Sequence, residues 1–449
     1  MKNWLHEKLF VIGYTFKYRD FLKWYNFVKK NEFESYENLK KYQEKKLRKL
    51  ISFSYDNIPY YFNLFKKLNL RPEDIQSIED LQKLPILTKE IIRNNQKDFI
   101  PNNLKEQKYI NNSTGGSTGH PLHYRISIED RTLGHAINNV NWARAGYKLG
   151  DKVAVIAGSS LIPSTKSKLI SKVKAFTINR KFFSSLDMSD KYMYKIVIEL
   201  NKFEPKYIYG YASSIYLFAR YIRDSGVKID FHPEGIFTTA EVLFDFQRRL
   251  IKDVFNCEVF DQYGLNDGSV SAYECEIHKG LHIDMIRSIM EIADDNGNQL
   301  QAGKEGHILA TSLYNYAMPF IRYDTGDRGI LSNVECDCRR KLPLLKKIVG
   351  RTTDYLKFSN GSIIGAPVLT VLFGKYDIIQ YQVIQDSLDS ILINIIKGKK
   401  YSNGNEKEIR NIFYKHVGKI DIRFNYVKKI ENTKGGKWKF IIRKVQDHE

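Results

Sequence analysis

A run of small polar residues, Ser113-Thr114-Gly115-Gly116-Ser117-Thr118-Gly119-His120-Pro121, constrains this chain more than any other feature. It has no helical or strand periodicity. Glycines let backbone amides approach an anion, and small hydroxyls add donors around phosphate oxygens. The closing Gly-Lys-Ser/Thr of the nucleotide-kinase P-loop is missing. Alone, such a run serves a connector as well as a phosphate cradle. Its followers narrow the choice. Polar segments recur at Thr238 to Glu241, Asp261 to Asp267, Tyr323 to Asp327, Gly350 to Asp354 and Thr433 to Lys437. Each comes after a strand-like stretch and reads as a loop. Any one could be an ordinary turn; five in this order are hard to dismiss.

Between these segments the periodicity alternates. Residues 34–70 have apolar residues at helical spacing, and Asn57-Ile58-Pro59 is expected to stop that run. Thr88 fits a helix N-cap. Strand-like HYRIS, KVAVIAGSS, KYIYGY, GIFTTA and CEVFDQYG interleave with helical stretches, which argues for mixed or parallel sheets. Residues 287–330 read as β, and after Arg351 the pattern restarts as strands around one helix. The expected class is α/β. A large multi-sheet N-terminal domain spans 1–350, with a basic helical lead-in over 1–70. A small, mobile α+β lid spans 351–449.

Length and composition exclude several classes. At 449 residues the chain exceeds one ordinary core. No apolar run approaches the roughly 18–20 residues that span a bilayer. The first 20 residues lack a small-residue cleavage site, so no secretory signal is read and the cytoplasm is expected. The net charge of +20 has no nucleic-acid module beside it. Scattered surface lysines account for most of it. The basic first 50 residues add an expectation of weak attraction to the inner face of an anionic membrane. A homodimer is also compatible.

In its ordered motifs the chain resembles the adenylate-forming superfamily of acyl-CoA synthetases, peptide-synthetase adenylation domains and luciferases. Within it, the chain is similar to the phenylacetate-CoA ligase and CapK-like branch associated with capsular polysaccharide. Asn57 to Tyr61, Gly210 to Ser214, Tyr263 to Asp267, Pro319 to Tyr323 and Gly436-Lys437 carry that likeness, over about residues 40–445.

The resemblance implies ATP and magnesium as cofactors and an acyl adenylate as intermediate. Ser113 to Gly119 would hold the ATP phosphates. Ala240 and Glu241 would line the adenine site, with Tyr263 stacked on the base and Asp261 and Gly264 in the same loop. Asp267 would ligate magnesium, Asp327 the ribose hydroxyls, and Arg351 the ribose or phosphate. Lys437 would bridge carboxylate and α-phosphate. No general base is required, because a carboxylate is already ionised at pH 7. The acid pocket is expected along Ala157 to Ser160 and Tyr209 to Ser213, including Ser159, Tyr211 and Ala212, and suits a small or medium acid. The acceptor is expected to be coenzyme A, with a carrier thiol, amine or hydroxyl as alternatives. Three departures stand out. His120 and Leu122 replace lysines common in the superfamily, Asp267 replaces a glutamate, and position 353 is Thr. A nucleotide-binding assembly protein with reduced turnover is therefore the competing reading.

Four cysteines do not make a disulfide scaffold. Cys275 and His282 on one stretch, with Cys336 and Cys338 on another, fit a closed Cys3His zinc site. His282 is preferred over His278. The one-residue gap between Cys336 and Cys338 is tighter than the usual spacing, and four reduced thiols are the alternative.

Overall fold

A computed structural model gives the fold. It describes residues 2–114, 122–158, 161, 175–186, 188–351, 355–365, 369, 372–431 and 438–445. Gly115 to Gly119, Ser159 and Lys437 lie outside the described residues, as does the side chain of Arg351.

The lead-in folds as helices α1 (Lys2–Lys17), α2 (Phe21–Lys30), α3 (Tyr36–Asn57) and α4 (Pro59–Lys67). Ser35 caps α3, its Oγ accepting from the Asn38 N–H at 3.2 Å. Pro59 was expected to end a helical run; it also starts one. At the first position of α4 it has no donor to lose. The apolar stripes of these helices, among them Phe10, Phe21, Leu47, Leu50 and Phe65, share one buried core with Phe320, Ile321 and Tyr323. Thr88 caps the short α5 (Lys89–Asn94), accepting from the Ile91 N–H at 3.2 Å. No described helix is long and apolar enough to cross a membrane.

Strand β1 (Tyr109–Ser113) pairs antiparallel with β2 (His123–Ser127). Ser113, the first residue of the polar run, is therefore strand and faces His123 across the ladder. The hairpin is closed at its base. The Thr114 N–H donates to the Leu122 carbonyl at 3.0 Å, and the Leu122 N–H to Thr114 Oγ1 at 2.9 Å. The polar run thus emerges from a fixed stem.

After α6 (Ile128–Ala143) come parallel strands β3 (Val153–Ala157), β4 (Arg180–Ser184), β5 (Tyr207–Tyr211), β6 (Gly235–Thr239) and β7 (Glu258–Gly264). Helices α7 (Asp190–Phe203), α8 (Ala212–Ser225) and α9 (Asp245–Phe255) alternate with them from β4 onward. Antiparallel strands extend the same sheet: β8 (Ser271–Glu274), β9 (Leu281–Ile283), β10 (Ser288–Ala293), β11 (Glu305–Ser312), β12 (Tyr323–Leu331) and β13 (Leu344–Arg351). The eleven-stranded order is β10-β11-β12-β13-β9-β8-β7-β6-β5-β3-β4. Gly210 is required where β5 meets β3, since a Cβ there would lie 1.9 Å from the Ile156 carbonyl oxygen.

The rest of the chain builds a separate core. Hairpin β14 (Tyr355–Lys357) and β15 (Ile363–Gly365) precedes β16 (Ile378–Ser387), β17 (Ser390–Lys397), α10 (Asn403–Val417), β18 (Asp421–Tyr426) and β19 (Ile441–Arg443). The last four strands form a sheet in the order β18-β17-β16-β19. The buried residues of this core, from Leu356 to Ile441, all come from this part of the chain.

Candidate active site

In open α/β sheets, ligands bind beyond the carboxyl ends of parallel strands. There β5, β6 and β7 deliver several of the residues named from sequence. Tyr211 and Ala212, both fully buried, lead from β5 straight into α8. Beyond β6, Ala240 adopts the left-handed φ of 68°, uncommon for a residue with a Cβ. The next residue, Glu241, joins two parts of the fold. Its Oε2 accepts from the Ser213 N–H of the first turn of α8 at 2.9 Å, a carboxylate at a helix N-terminus. Its Oε1 accepts from the Trp438 N–H at 3.2 Å, one residue after Lys437.

On β7, Asp261 Oδ1 accepts from Thr238 Oγ1 at 2.7 Å, and its own N–H donates to Glu274 Oε2 at 2.7 Å. Burial, then the negative charge of Glu274, pushes the Asp261 carboxyl up to about 7. Its ordinary value is 3.8. A carboxyl raised on folding stabilises the fold below its unfolded value and loses that contribution as pH rises through its folded value. Asp261→Asn should therefore gain stability on wild type between about pH 4 and 7, by up to about 4 kcal/mol. Denaturant melts at both pH values check this; parallel pH profiles would contradict it.

Tyr263 donates its O–H to Asp327 Oδ2 at 3.0 Å. Burial, then the Asp327 charge, raises the phenol far above its ordinary value, so it stays a donor. Tyr323 to Asp327 was read as a loop; it lies within β12. The register slips between His307 and Leu309 of β11, leaving Thr325 to Asp327 in a bulge. Gly326 takes the φ of 79° that the bulge needs. The Gly326 N–H is tied to Asp324 Oδ1 at 2.8 Å and the Asp327 N–H to Thr325 Oγ1 at 3.1 Å. Arg351 is the strand partner of Asp327.

Asp267 is buried and accepts the Tyr323 O–H at 2.6 Å. Its Oδ1 receives no hydrogen bond among the described residues, which leaves an oxygen for a hard cation such as magnesium. The loop around it is braced from below. Ser269 Oγ donates to Asp130 Oδ2 at 2.9 Å, and Arg287 forks onto Asp130 at 3.0 and 2.8 Å. Sequence reasoning assigned no role to Tyr323, Glu274 or Trp438. Tyr323 stood inside a quoted motif, but its partner is 56 positions away.

Cys275, His282, Cys336 and Cys338 come together, their ligand atoms all within 4.8 Å of one another. All four are buried. Cys275 Sγ lies 3.6 Å from Cys336 Sγ, and Cys338 Sγ lies 3.2 Å from His282 Nε2. The sulfur separation is far beyond a disulfide, ~2.05 Å. It matches the edge of a tetrahedron with ~2.3 Å zinc–sulfur bonds. Burial, then nearby Arg144 and Arg340, pushes His282 down to about 4, leaving the neutral ring that ligates metal. His278 turns away, with Nδ1 at 3.1 Å from Glu274 Oε2. The donor set suits zinc.

Residues 356–444 match the CapK C-terminal domain family. Protein CapK of Staphylococcus aureus is 27% identical over 410 residues, 90% of this chain and 89% of that protein. The chain is a homologue of CapK and of the phenylacetate-CoA ligases. The phenylacetate-coenzyme A ligase of Thermus thermophilus is 24% identical over 425 residues, 92% of this chain and 90% of that one. Among solved structures, 2-hydroxyisobutyryl-CoA ligase in its postadenylation state with 2-HIB-AMP superposes with a TM-score of 0.74 at 18% identity, covering 92% and 91% of the two chains. In its thioester-forming state with 2-HIB-AMP and CoA, the same ligase superposes at 0.59 over the same shares, at 19% identity. The fold is that of the adenylate-forming CoA ligases.

Proposed function

We propose that this protein joins a carboxylic acid to coenzyme A in two steps through an acyl adenylate. In the first, a carboxylate oxygen attacks the α-phosphorus of ATP, the α–β bridging P–O bond breaks and pyrophosphate leaves. In the second, the CoA sulfur attacks the acyl carbon, the C–O bond to phosphate breaks and AMP leaves. The observation that carries this reading is the cluster of Glu241, Tyr263, Asp267 and Asp327 at and beside the strand ends, in a homologue of ligases of that name.

Each residue has a physical task. The polar run from Ser113 to Gly119, on its hairpin stem, supplies amide and hydroxyl donors to the ATP phosphates. Ala240 and Glu241 border the adenine, and Tyr263 flanks it. Asp327, fixed on its bulge, accepts from the ribose hydroxyls, with Arg351 on the neighbouring strand. Asp267 would hold magnesium, whose charge offsets that of the phosphates. Lys437, carried by the 351–449 unit acting as a lid, brings a cation to the oxygens that share the developing charge. The acid lies along Ser159, Tyr211 and Ala212. The four-ligand cluster would hold a closed, structural zinc. A place in surface-polysaccharide assembly is the finer part of this reading and rests on the likeness to CapK.

ATP–pyrophosphate exchange across a panel of carboxylic acids tests the proposal. At least one small or medium acid should drive exchange, and CoA with that acid should release AMP. Tight ATP binding with a silent panel would overturn it and favour a nucleotide-binding assembly protein.

A further inference from the structure

Among the described residues the C-terminal core meets the large sheet domain through few polar contacts, and two of them gather at one helix. At the start of α8, Ser213 and Trp438 share the Glu241 carboxylate. Seven residues on, about 10 Å along the helix axis at ~1.5 Å per residue, stands Arg220. It is only 6% exposed. Its Nη1 donates to the Ile378 carbonyl at 2.7 Å, its Nη2 to Asp377 Oδ1 at 2.6 Å and its Nε to Asp224 Oδ2 at 3.2 Å.

The receiving side is rigid. Asp377 Oδ2 accepts the Lys400 N–H at 2.7 Å, and the Asp377 carbonyl accepts the Gly398 N–H at 2.7 Å. A Cβ on Gly398 would lie 2.2 Å from the Asp377 carboxylate, so the two are in close contact. Both contact points also report to one strand. Asp377 immediately precedes β16, Ile378 begins it, and Trp438 Nε1 donates to the Tyr381 carbonyl of β16 at 2.8 Å. A rotation of the C-terminal unit away from α8 would break both points together.

We propose that Arg220 is a positioning residue for adenylation. It clamps β16 to α8, and so sets the stance in which the residue before Trp438, Lys437, reaches the nucleotide end of the sheet. This rests on the proposed function for what Lys437 does, but not for the clamp itself. A fork of charge-assisted hydrogen bonds at a boundary between two cores is specific in geometry and can be released as a unit. The chain also superposes better on its structural neighbour in the postadenylation state than in the thioester-forming state, 0.74 against 0.59.

The test uses the full-length protein and Arg220→Gln, which removes the charge and the two Nη donors while keeping a polar side chain. Exchange of pyrophosphate with a responsive acid should fall roughly 10- to 100-fold, the range of a lost docked population. Transfer to CoA from a supplied acyl adenylate should stay within about twofold, because that step does not call on Lys437. Small-angle scattering should show a larger radius for the variant. Should it fail to fold, Arg220→Lys keeps the charge without the fork and should show the same split at smaller size. A parallel fall of both half-reactions marks a merely structural role and overturns the proposal, as does unchanged exchange. If wild type drives no exchange with any acid, the proposed function fails by itself. Scattering then decides the clamp, and equal radii would remove it.

Discussion

Replacing Lys437 by alanine should abolish most adenylation, a loss of about 10²–10³-fold in pyrophosphate exchange, and leave ATP binding nearly intact. Charge sets the requirement. Attack of a carboxylate on a triphosphate brings two anions together, and neither needs deprotonation. What must be supplied is positive charge placed where oxygens crowd at the α-phosphorus. The polar run Ser113 to Pro121 contains no lysine or arginine, so a cation elsewhere has more to do. Trp438, the next residue, is pinned by its backbone N–H to Glu241 and by its indole N–H to Tyr381. Trp438 is thus anchored beside the carboxyl end of β6. Single-turnover assays separate the steps. Lys437→Ala should form adenylate slowly yet pass a supplied adenylate to CoA at close to the normal rate. Exchange equal to wild type would remove Lys437 from the chemistry. Arg220→Gln should show the same split with a wider solution envelope, whereas Lys437→Ala should keep the wild-type radius.

Much of the fold was legible because it rests on local patterning. The alternation of strands and helices between Lys152 and Gly264, the β-rich stretch that follows, and the restart after Arg351 all depend on residues near one another in sequence. The reading fell short where local signals serve two purposes. Proline disfavours a helix interior but suits its first turn, so the run did stop at Asn57 as expected, while Pro59 also opened α4, a role not read from the sequence. The Thr325-Gly326-Asp327 segment has turn residues, yet it is a bulge inside β12, held by the strands on either side. Candidate site residues were legible as an ordered set, but their partners were not. Asp267 meets Tyr323, Asp261 meets Glu274, and Glu241 meets Trp438 across 56, 13 and 197 positions. Such pairs follow from sheet order and from where the second core docks, which no short stretch encodes. The same holds for the clamp, since Arg220 and Asp377 are 157 positions apart.

Cys338→Ser should lower the melting temperature by about 10 °C or more, the scale expected when a structural metal site is lost. Metal analysis of the purified wild type should find one zinc per chain, and strong chelation should reproduce the loss. The reason lies in what the cluster joins. Cys275 follows β8, His282 lies in β9, and Cys336 and Cys338 precede β13, so four ligands tie three segments of the antiparallel sheet. Nearby, Arg340 donates to Glu32 at 2.7 Å and to Glu276 at 3.1 Å, and Arg144 reaches the same Glu32 at 3.3 Å. Those two arginines add positive charge beside the ligands, which suits three thiolates and a metal better than three neutral thiols. Release of zinc should loosen β8. Glu274, at its end, would then lose its hold on the Asp261 N–H at the nucleotide end of β7. The metal-free protein should thus bind ATP more weakly at temperatures where it is still folded, while the chemistry of bound substrates is unaltered. Protein without zinc in which all four thiols titrate freely, with an unchanged melt, would remove the metal from this account.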